Sequence, residues 1–117
     1  PVGNRVYPAL EAAEGLTKVG VSAAVINPRF IKPLDSELIC DWASRTGKVI
    51  TIEDGVRQGG FGSAVLEILS KRRVFNVKTA ILGYRDQFVE QGPQATLWKN
   101  NHLDAPAIIS AAIELMK

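Results

Sequence analysis

Apolar residues recur along this chain with two different periods. Five segments carry them at the three- and four-residue spacing of an amphipathic helix, and three are short, mostly apolar runs typical of strands. The predicted helices are residues 4–18, a helix capped by Asp35 or Ser36 and ended by Gly47, one with the stripe Phe61, Val65, Ile68 and Leu69, residues 93–98, and a last helix capped by Asp104. The predicted strands are residues 21–26, 49–52 and 76–82.

The order of these elements, α-β-α-β-α-β-α-α, predicts a fold of the α/β class. Alternation of this kind favours a three-layer sandwich in which helices flank a mostly parallel sheet. The opening residues, Pro1-Val2-Gly3, resemble the turn that follows a strand. We therefore expect the first strand of the sheet to be missing, and residues 1–117 to be a single domain cut from a longer chain.

Residues 48–70, KVITIEDGVRQGGFGSAVLEILS, carry the most informative pattern. A strand ends in two carboxylates, Glu53 and Asp54, and a glycine turn then leads into a helix, an arrangement that lies at the carboxyl edge of parallel sheets, where functional sites collect. As neighbours on a strand, the carboxylates point to opposite faces, which disfavours a shared proton. A phosphate cradle is also disfavoured, because neither G-x-G-x-x-G nor G-K-[ST] is present. The pattern favours a close-packed turn or a contact with another subunit.

Size and composition are those of an ordinary globular domain. The 117 residues are 46% hydrophobic and 22% charged, with a formal net charge of +2. The only basic run, Lys71-Arg72-Arg73, follows a helix, where positive charge is favoured by the helix dipole. The other basic residues are scattered among acidic ones, so no basic surface suited to nucleic acid is predicted. One cysteine, Cys40, and one histidine, His102, offer neither an internal disulfide nor a metal-ligand cluster. No apolar run suits a membrane span, and we expect a soluble, cytoplasmic protein.

Three motifs, taken in order, resemble the C-terminal domain of the transketolase superfamily. They are RFIKPLD at 29–35, IED at 52–54 with GGFG at 59–62, and DQFVEQG at 86–92 followed by a Leu-Asp pair at 103–104. The set resembles the 1-deoxy-D-xylulose-5-phosphate synthases more than transketolase proper or the β subunit of 2-oxoacid dehydrogenases. The similarity extends over essentially the whole chain. Two positions depart from it: Asp54 stands where a second glutamate is expected, and Glu90 where relatives often carry proline.

The resemblance implies a thiamine-diphosphate-dependent transferase that joins pyruvate, after decarboxylation, to glyceraldehyde 3-phosphate for isoprenoid biosynthesis. It also implies that other domains hold thiamine diphosphate and Mg²⁺, since the cofactor carries the difficult chemistry. These 117 residues are then expected to contain no catalytic, cofactor-binding or metal-binding residue. The expected partners are the remaining domains and the second subunit of a homodimer, with no nucleic acid and no membrane. The expected location is the bacterial cytoplasm, or a plastid.

The residues expected to contact neighbouring domains and the second subunit belong to two carboxyl-edge loops. They are Glu53, Asp54, Gly59, Gly60, Gly62, Ser63, Asp86, Gln91 and Gly92. Replacing Gly60 with valine is then expected to lower assembly or activity by crowding a close backbone approach.

Alternatives remain open at this stage. Three cations, Arg29, Lys32 and Arg85, are weaker candidates for holding a substrate phosphate. One alternative function is the C-terminal domain of a 2-oxoacid dehydrogenase β subunit or of a transketolase, docking a partner subunit. The other is a free-standing, flavodoxin-like nucleotide binder.

Overall fold

The structure, a computed structural model that describes residues 1–117, has two parallel strands and five α-helices. Strand β1 (Lys48–Val56) pairs with β2 (Lys78–Tyr84). The helices are α1 (Val6–Thr17), α2 (Ser36–Thr46), α3 (Phe61–Lys71), α4 (Gln94–Asn100) and α5 (Ala105–Met116), and a 3-10 turn, Gly3–Arg5, precedes α1.

Helices cover both faces of the strand pair, which makes the three layers of the sandwich. On one face, α1 and α5 pack on β1 through a core of Ala9, Ala12, Ile52, Leu103, Ala105 and Ile108. On the other, α2 and α3 contribute a second core of Ile39, Ala43, Phe61, Val65 and Leu69. The predicted α/β fold, with helices on both sides of a parallel sheet, is confirmed.

The predicted helix boundaries rest on caps that the structure contains. The side chain of Asp35 accepts a hydrogen bond from the backbone N–H of Leu38 at 3.0 Å, and Asp104 accepts one from Ala107 at 3.1 Å. Gly47 has a left-handed φ of 66° and closes α2. These contacts satisfy backbone groups that a helix leaves unpaired at its ends.

The predicted strand at residues 21–26 does not form. This segment has no strand partner, and an apolar groove of about 450 Å³ lies between it and β1, with walls that also come from α1, α2 and α5. Beyond its pairing with β2, the backbone of β1 takes part in one further backbone hydrogen bond, from the N–H of Val2 to the carbonyl of Ile52 at 3.0 Å. The apolar pattern was insufficient because a strand also needs a neighbour to pair with. The sheet therefore has two strands, not three.

Candidate functional site at the carboxyl edge of the strands

The carboxyl end of β1 departs from regular pairing. Ile52 pairs with Leu82 and Val56 pairs with Tyr84, so residues 53–55 of β1 face the single residue Gly83 of β2. Such irregularities bend a strand and re-aim its side chains. Position 83 needs glycine, because a Cβ there would lie 2.9 Å from the carbonyl oxygen of Gly55.

The irregularity places the Glu53 side chain inside the domain, where only 7% of the residue is exposed. Its two carboxylate oxygens accept hydrogen bonds from the backbone N–H groups of Phe61, at 3.1 Å, and Gly62, at 2.9 Å. These are the first two residues of α3, and a negative charge is favoured at a helix N-terminus. Glu53 therefore caps α3 from the neighbouring strand. A contact of this turn with neighbouring domains or the second subunit stays a prediction.

The glycines of the turn are required by the same arrangement. A Cβ at Gly60 would overlap the Glu53 carboxylate and lie 2.5 Å from the carbonyl oxygen of Val56. A Cβ at Gly62 would lie 2.5 Å from Cγ2 of Ile81. The close approach predicted for this turn is present. Within the domain, its partners are the two strands.

Asp54, the second carboxylate, is exposed and belongs to a different set of contacts. Its Oδ2 accepts a hydrogen bond from Nδ2 of Asn4 at 2.8 Å. Beside it lies Arg5, which is almost completely buried, with its guanidinium carbon 3.5 Å from the ring centroid of Trp98. Nη1 of Arg5 also donates to the carbonyl oxygen of Leu103 at 2.7 Å. These contacts connect the start of the chain to α4 and to the α4–α5 connection.

The electrostatics of this cluster favour an ionised Asp54. Burial would raise the pKa of Asp54, but the Asn4 hydrogen bond, the neighbouring Trp98 and Tyr84 side chains and the Arg5 charge together lower that pKa below its ordinary value of 3.8. Burial, reinforced by the Asp54 carboxylate, raises the pKa of Tyr84. Burial also lowers the pKa of Arg5, opposed by the charge of Asp54. An arginine remains protonated at neutral pH even so.

We expect Asp54 to make stability depend on pH in acid. Because the folded-state pKa of Asp54 lies below its ordinary value of 3.8, its contribution is fully present above that pH and is lost as pH falls through the folded-state pKa. The thermal unfolding midpoint should therefore drop less between neutral pH and strong acid for Asp54→Asn than for the unmodified protein. Asp86→Asn, at an exposed carboxylate without a hydrogen bond, is the control. Parallel curves for all three proteins would contradict the assignment.

Sequence reasoning missed Arg5 as a structural residue. A single arginine in a glycine turn carries no periodic signal, and its burial depends on Trp98, which lies 93 positions later along the chain. Trp98 is half-buried and packs against the first core as well as against Arg5. Its indole N–H is buried without a hydrogen-bond partner.

The remaining predicted residues lie at or near the surface. Gly59, Asp86, Gln91 and Gly92 are exposed. Ser63 is half-buried: its hydroxyl donates to the carbonyl oxygen of Arg57 at 3.1 Å and accepts from the N–H of Gly59, also at 3.1 Å. An interface role for these residues stays a prediction. No helix of the chain combines the length and apolar character needed to cross a bilayer.

The fold and this edge together define a small α/β domain in which a strand carboxylate caps the helix that follows a glycine turn. Residues 2–108 match the family described as transketolase, C-terminal domain. The chain belongs to this family.

Its relatives are much longer proteins. It is 59% identical over 117 residues to a 1-deoxy-D-xylulose-5-phosphate synthase of Desulfotalea psychrophila, covering 100% of this chain and 18% of the relative. It is 49% identical over 116 residues to 1-deoxy-D-xylulose-5-phosphate synthase 1 of Geobacter metallireducens, covering 99% and 19%. The chain thus spans under a fifth of the length of these curated relatives.

A solved structure confirms the fold. The protein described as "Split gene transketolase, inactive beta4 tetramer" superposes with a TM-score of 0.88 at 36% identity, covering 97% of this chain and 37% of that one.

Proposed function

We propose that this chain is the C-terminal domain of a thiamine-diphosphate-dependent 1-deoxy-D-xylulose-5-phosphate synthase. The observation that carries the proposal is its 59% identity, over its full length, to part of such an enzyme. The parent enzyme joins pyruvate, after loss of CO₂, to glyceraldehyde 3-phosphate, and supplies isoprenoid precursors. It is expected to work in the cytoplasm as a homodimer.

We infer that other domains of the enzyme hold thiamine diphosphate and Mg²⁺. Both oxygens of Glu53 already accept backbone hydrogen bonds, and Asp54 is held by Asn4. No group of three His, Cys, Asp or Glu side chains is placed to bind a metal ion. The residues at this edge therefore do not fit the cofactor, and the role that remains for the domain is to support the catalytic domains.

The loop that follows β2 is the first of two surfaces suited to that role. Phe88 is fully exposed, more than any other large apolar residue of the chain, and its neighbour Val89 is 38% exposed. They lie within the same motif as Asp86, Gln91 and Gly92, which are also exposed. Burial of these side chains against another domain or the second subunit would stabilise the assembled enzyme.

The apolar groove is the second surface. One wall is the edge of β1 that is not paired with β2, and Val21, Val25 and Ile26 line the opposite side. An unpaired strand edge beside apolar side chains is suited to an extended segment, which supplies main-chain hydrogen bonds and apolar contact together. We propose that an extended apolar segment of the remaining enzyme lies there. In the relatives that remainder is more than four-fifths of the chain.

A chimera tests the proposed function. The C-terminal part of the Desulfotalea psychrophila synthase that matches this chain is replaced by these 117 residues, and formation of 1-deoxyxylulose 5-phosphate is measured. We expect turnover comparable to that of the parent synthase, no activity after deletion of this part, and no pyruvate consumption by the isolated chain. The corresponding domain of the split-gene transketolase, 36% identical to this chain, is the matched control and is expected to support less activity.

Several outcomes would contradict the proposal. A chimera that assembles with the oligomeric state of the parent but is inactive would show that this chain does not belong to such a synthase. Pyruvate turnover by the isolated chain would contradict the supporting role. Capture by a peripheral-subunit-binding domain would favour the dehydrogenase alternative, and saturable nucleotide binding would favour the flavodoxin-like one.

A further inference from the structure

A second cavity, of about 330 Å³, lies where β2 and α4 end, apart from the apolar groove and the Asp54 cluster. Its lining contains two arginines and a histidine but no carboxylate. The polar residues that line it are Arg57, Arg85, Gln87, Asn100, Asn101 and His102. We call it the basic cavity.

The backbone brings the two arginines together. Arg57 follows β1, and its N–H donates to the carbonyl oxygen of Tyr84 at 3.0 Å. Arg85 directly follows β2, so both residues leave the carboxyl edge of the parallel pair. Gly83 permits this approach, since a Cβ there would lie 3.0 Å from the Cβ of Arg57. Ligands of open α/β sheets bind outside this same edge.

His102 and the asparagines close the other side of the basic cavity. The chain turns sharply after α4 because His102 has a left-handed φ of 59°, and the backbone N–H of Leu103 donates to the carbonyl oxygen of Trp98 at 2.8 Å. Nδ2 of Asn101 is already used in a bond to the carbonyl oxygen of Leu97 at 2.8 Å. The side chain of Asn100 makes no hydrogen bond within the domain, so its donor remains available.

The positive charge of the basic cavity is not neutralised within the domain. The ion pairs of the chain are Arg45 with Asp41 and Lys117 with Glu114. Neither guanidinium at the cavity has an ion-pair or hydrogen-bond partner. Both arginines line this cavity, so an anion bound there would be attracted by two positive charges.

We propose that the basic cavity binds a small phosphate monoester. Arginine is suited to phosphate because its planar fork donates two parallel hydrogen bonds to a pair of oxygens. The cavity volume of about 330 Å³ lies at the lower end of the range for small-molecule sites, which leaves space for a short carbon chain beyond the phosphate. The amides of Gln87 and Asn100 are suited to hydroxyl groups on that chain. The inference stands on this geometry and does not depend on the proposed function.

Titration of the ¹⁵N-labelled chain, followed by NMR at constant ionic strength, tests the site. The probes are glycerol 3-phosphate, inorganic phosphate and glycerol. We expect glycerol 3-phosphate to cause saturable shifts of the backbone amides at positions 57, 83, 85 and 102. Inorganic phosphate should bind more weakly, and glycerol should cause no shifts.

Two double variants distinguish a site from general attraction. Arg57→Gln with Arg85→Gln should weaken binding of glycerol 3-phosphate by roughly a hundredfold, since each charged hydrogen-bonding group contributes about a factor of ten or more. Lys18→Gln with Lys71→Gln changes the net charge equally at exposed positions away from the cavity, and should leave affinity unchanged. The single variant Arg85→Gln is measured too, so that the test does not depend on the folding of one double variant.

The result that would overturn the proposal is equally specific. Unchanged affinity after loss of the two cavity arginines would place binding elsewhere. Equal weakening in both double variants would reduce it to non-specific charge attraction. Equal affinity for inorganic phosphate and glycerol 3-phosphate would show that the site does not recognise a monoester. The absence of any saturable shift would show that the cavity does not bind phosphate.

Discussion

Gly60→Val is expected to lower the free energy of unfolding by about 3 kcal/mol or more, a large part of the stability of a domain this size. The reason is steric. The Cβ of the new valine would overlap the Glu53 carboxylate and the carbonyl oxygen of Val56. The carbonyl oxygen belongs to the backbone, so it cannot rotate away. Either the turn shifts or Glu53 leaves the start of α3.

Chemical denaturation followed by circular dichroism measures this effect. Gly55→Ala is the matched control, because its Cβ would lie 3.4 Å from the same Glu53 carboxylate and near no other group. We expect its unfolding midpoint to stay close to that of the unmodified chain. Equal midpoints for Gly60→Val and Gly55→Ala would show that the turn accommodates a side chain at position 60, and would contradict the prediction. If the prediction holds, loss of assembly in Gly60→Val follows from unfolding inside the domain.

Glu53→Ala is expected to lower the free energy of unfolding by about 3 kcal/mol. The substitution leaves the N–H groups of Phe61 and Gly62 without their acceptor in a buried environment, and each such group costs about 1 to 3 kcal/mol. It also removes a negative charge from the positive end of α3. Glu53→Gln should cost less, since the amide oxygen still accepts one of the two bonds.

Hydrogen exchange gives a local readout of this prediction. The amides of Phe61 and Gly62 should lose protection in Glu53→Ala before the rest of α3 does. Glu67→Ala, which removes an exposed carboxylate from the same helix, is the control and should change neither stability nor protection appreciably. Retained protection at both amides in Glu53→Ala would contradict the capping role.

These two predictions change where the contacts of the domain should be sought. Glu53 and Gly60 were predicted to contribute to contacts with neighbouring domains and the second subunit, and that stays a prediction. Within the domain, Glu53 is buried and Gly60 packs against it. The most exposed large apolar side chain, Phe88, lies on the loop after β2, beside Val89. Mutations that separate assembly from folding are therefore best made there.

Much of the fold was predictable because its signals are local. The caps at Asp35 and Asp104, the left-handed Gly47 and the apolar stripe of α3 each depend on neighbours within a few positions. The strand at residues 21–26 was predicted wrongly, because its apolar composition says nothing about whether a pairing edge lies within reach. The end of β1 was also misjudged, since its pairing extends to Val56 only through an irregular register with β2.

By itself, the sequence determined the class of the fold, the family, and the position of the carboxyl edge with its acidic and glycine residues. These follow from periodicity, turn chemistry and motif order, which are properties of short stretches. Only the tertiary structure decided that Glu53 caps α3, that Arg5 lies over Trp98, and that Arg57 and Arg85 share a cavity with His102. Each of these depends on groups far apart in the chain, whose distance is set by packing and strand register, and no local pattern contains that information.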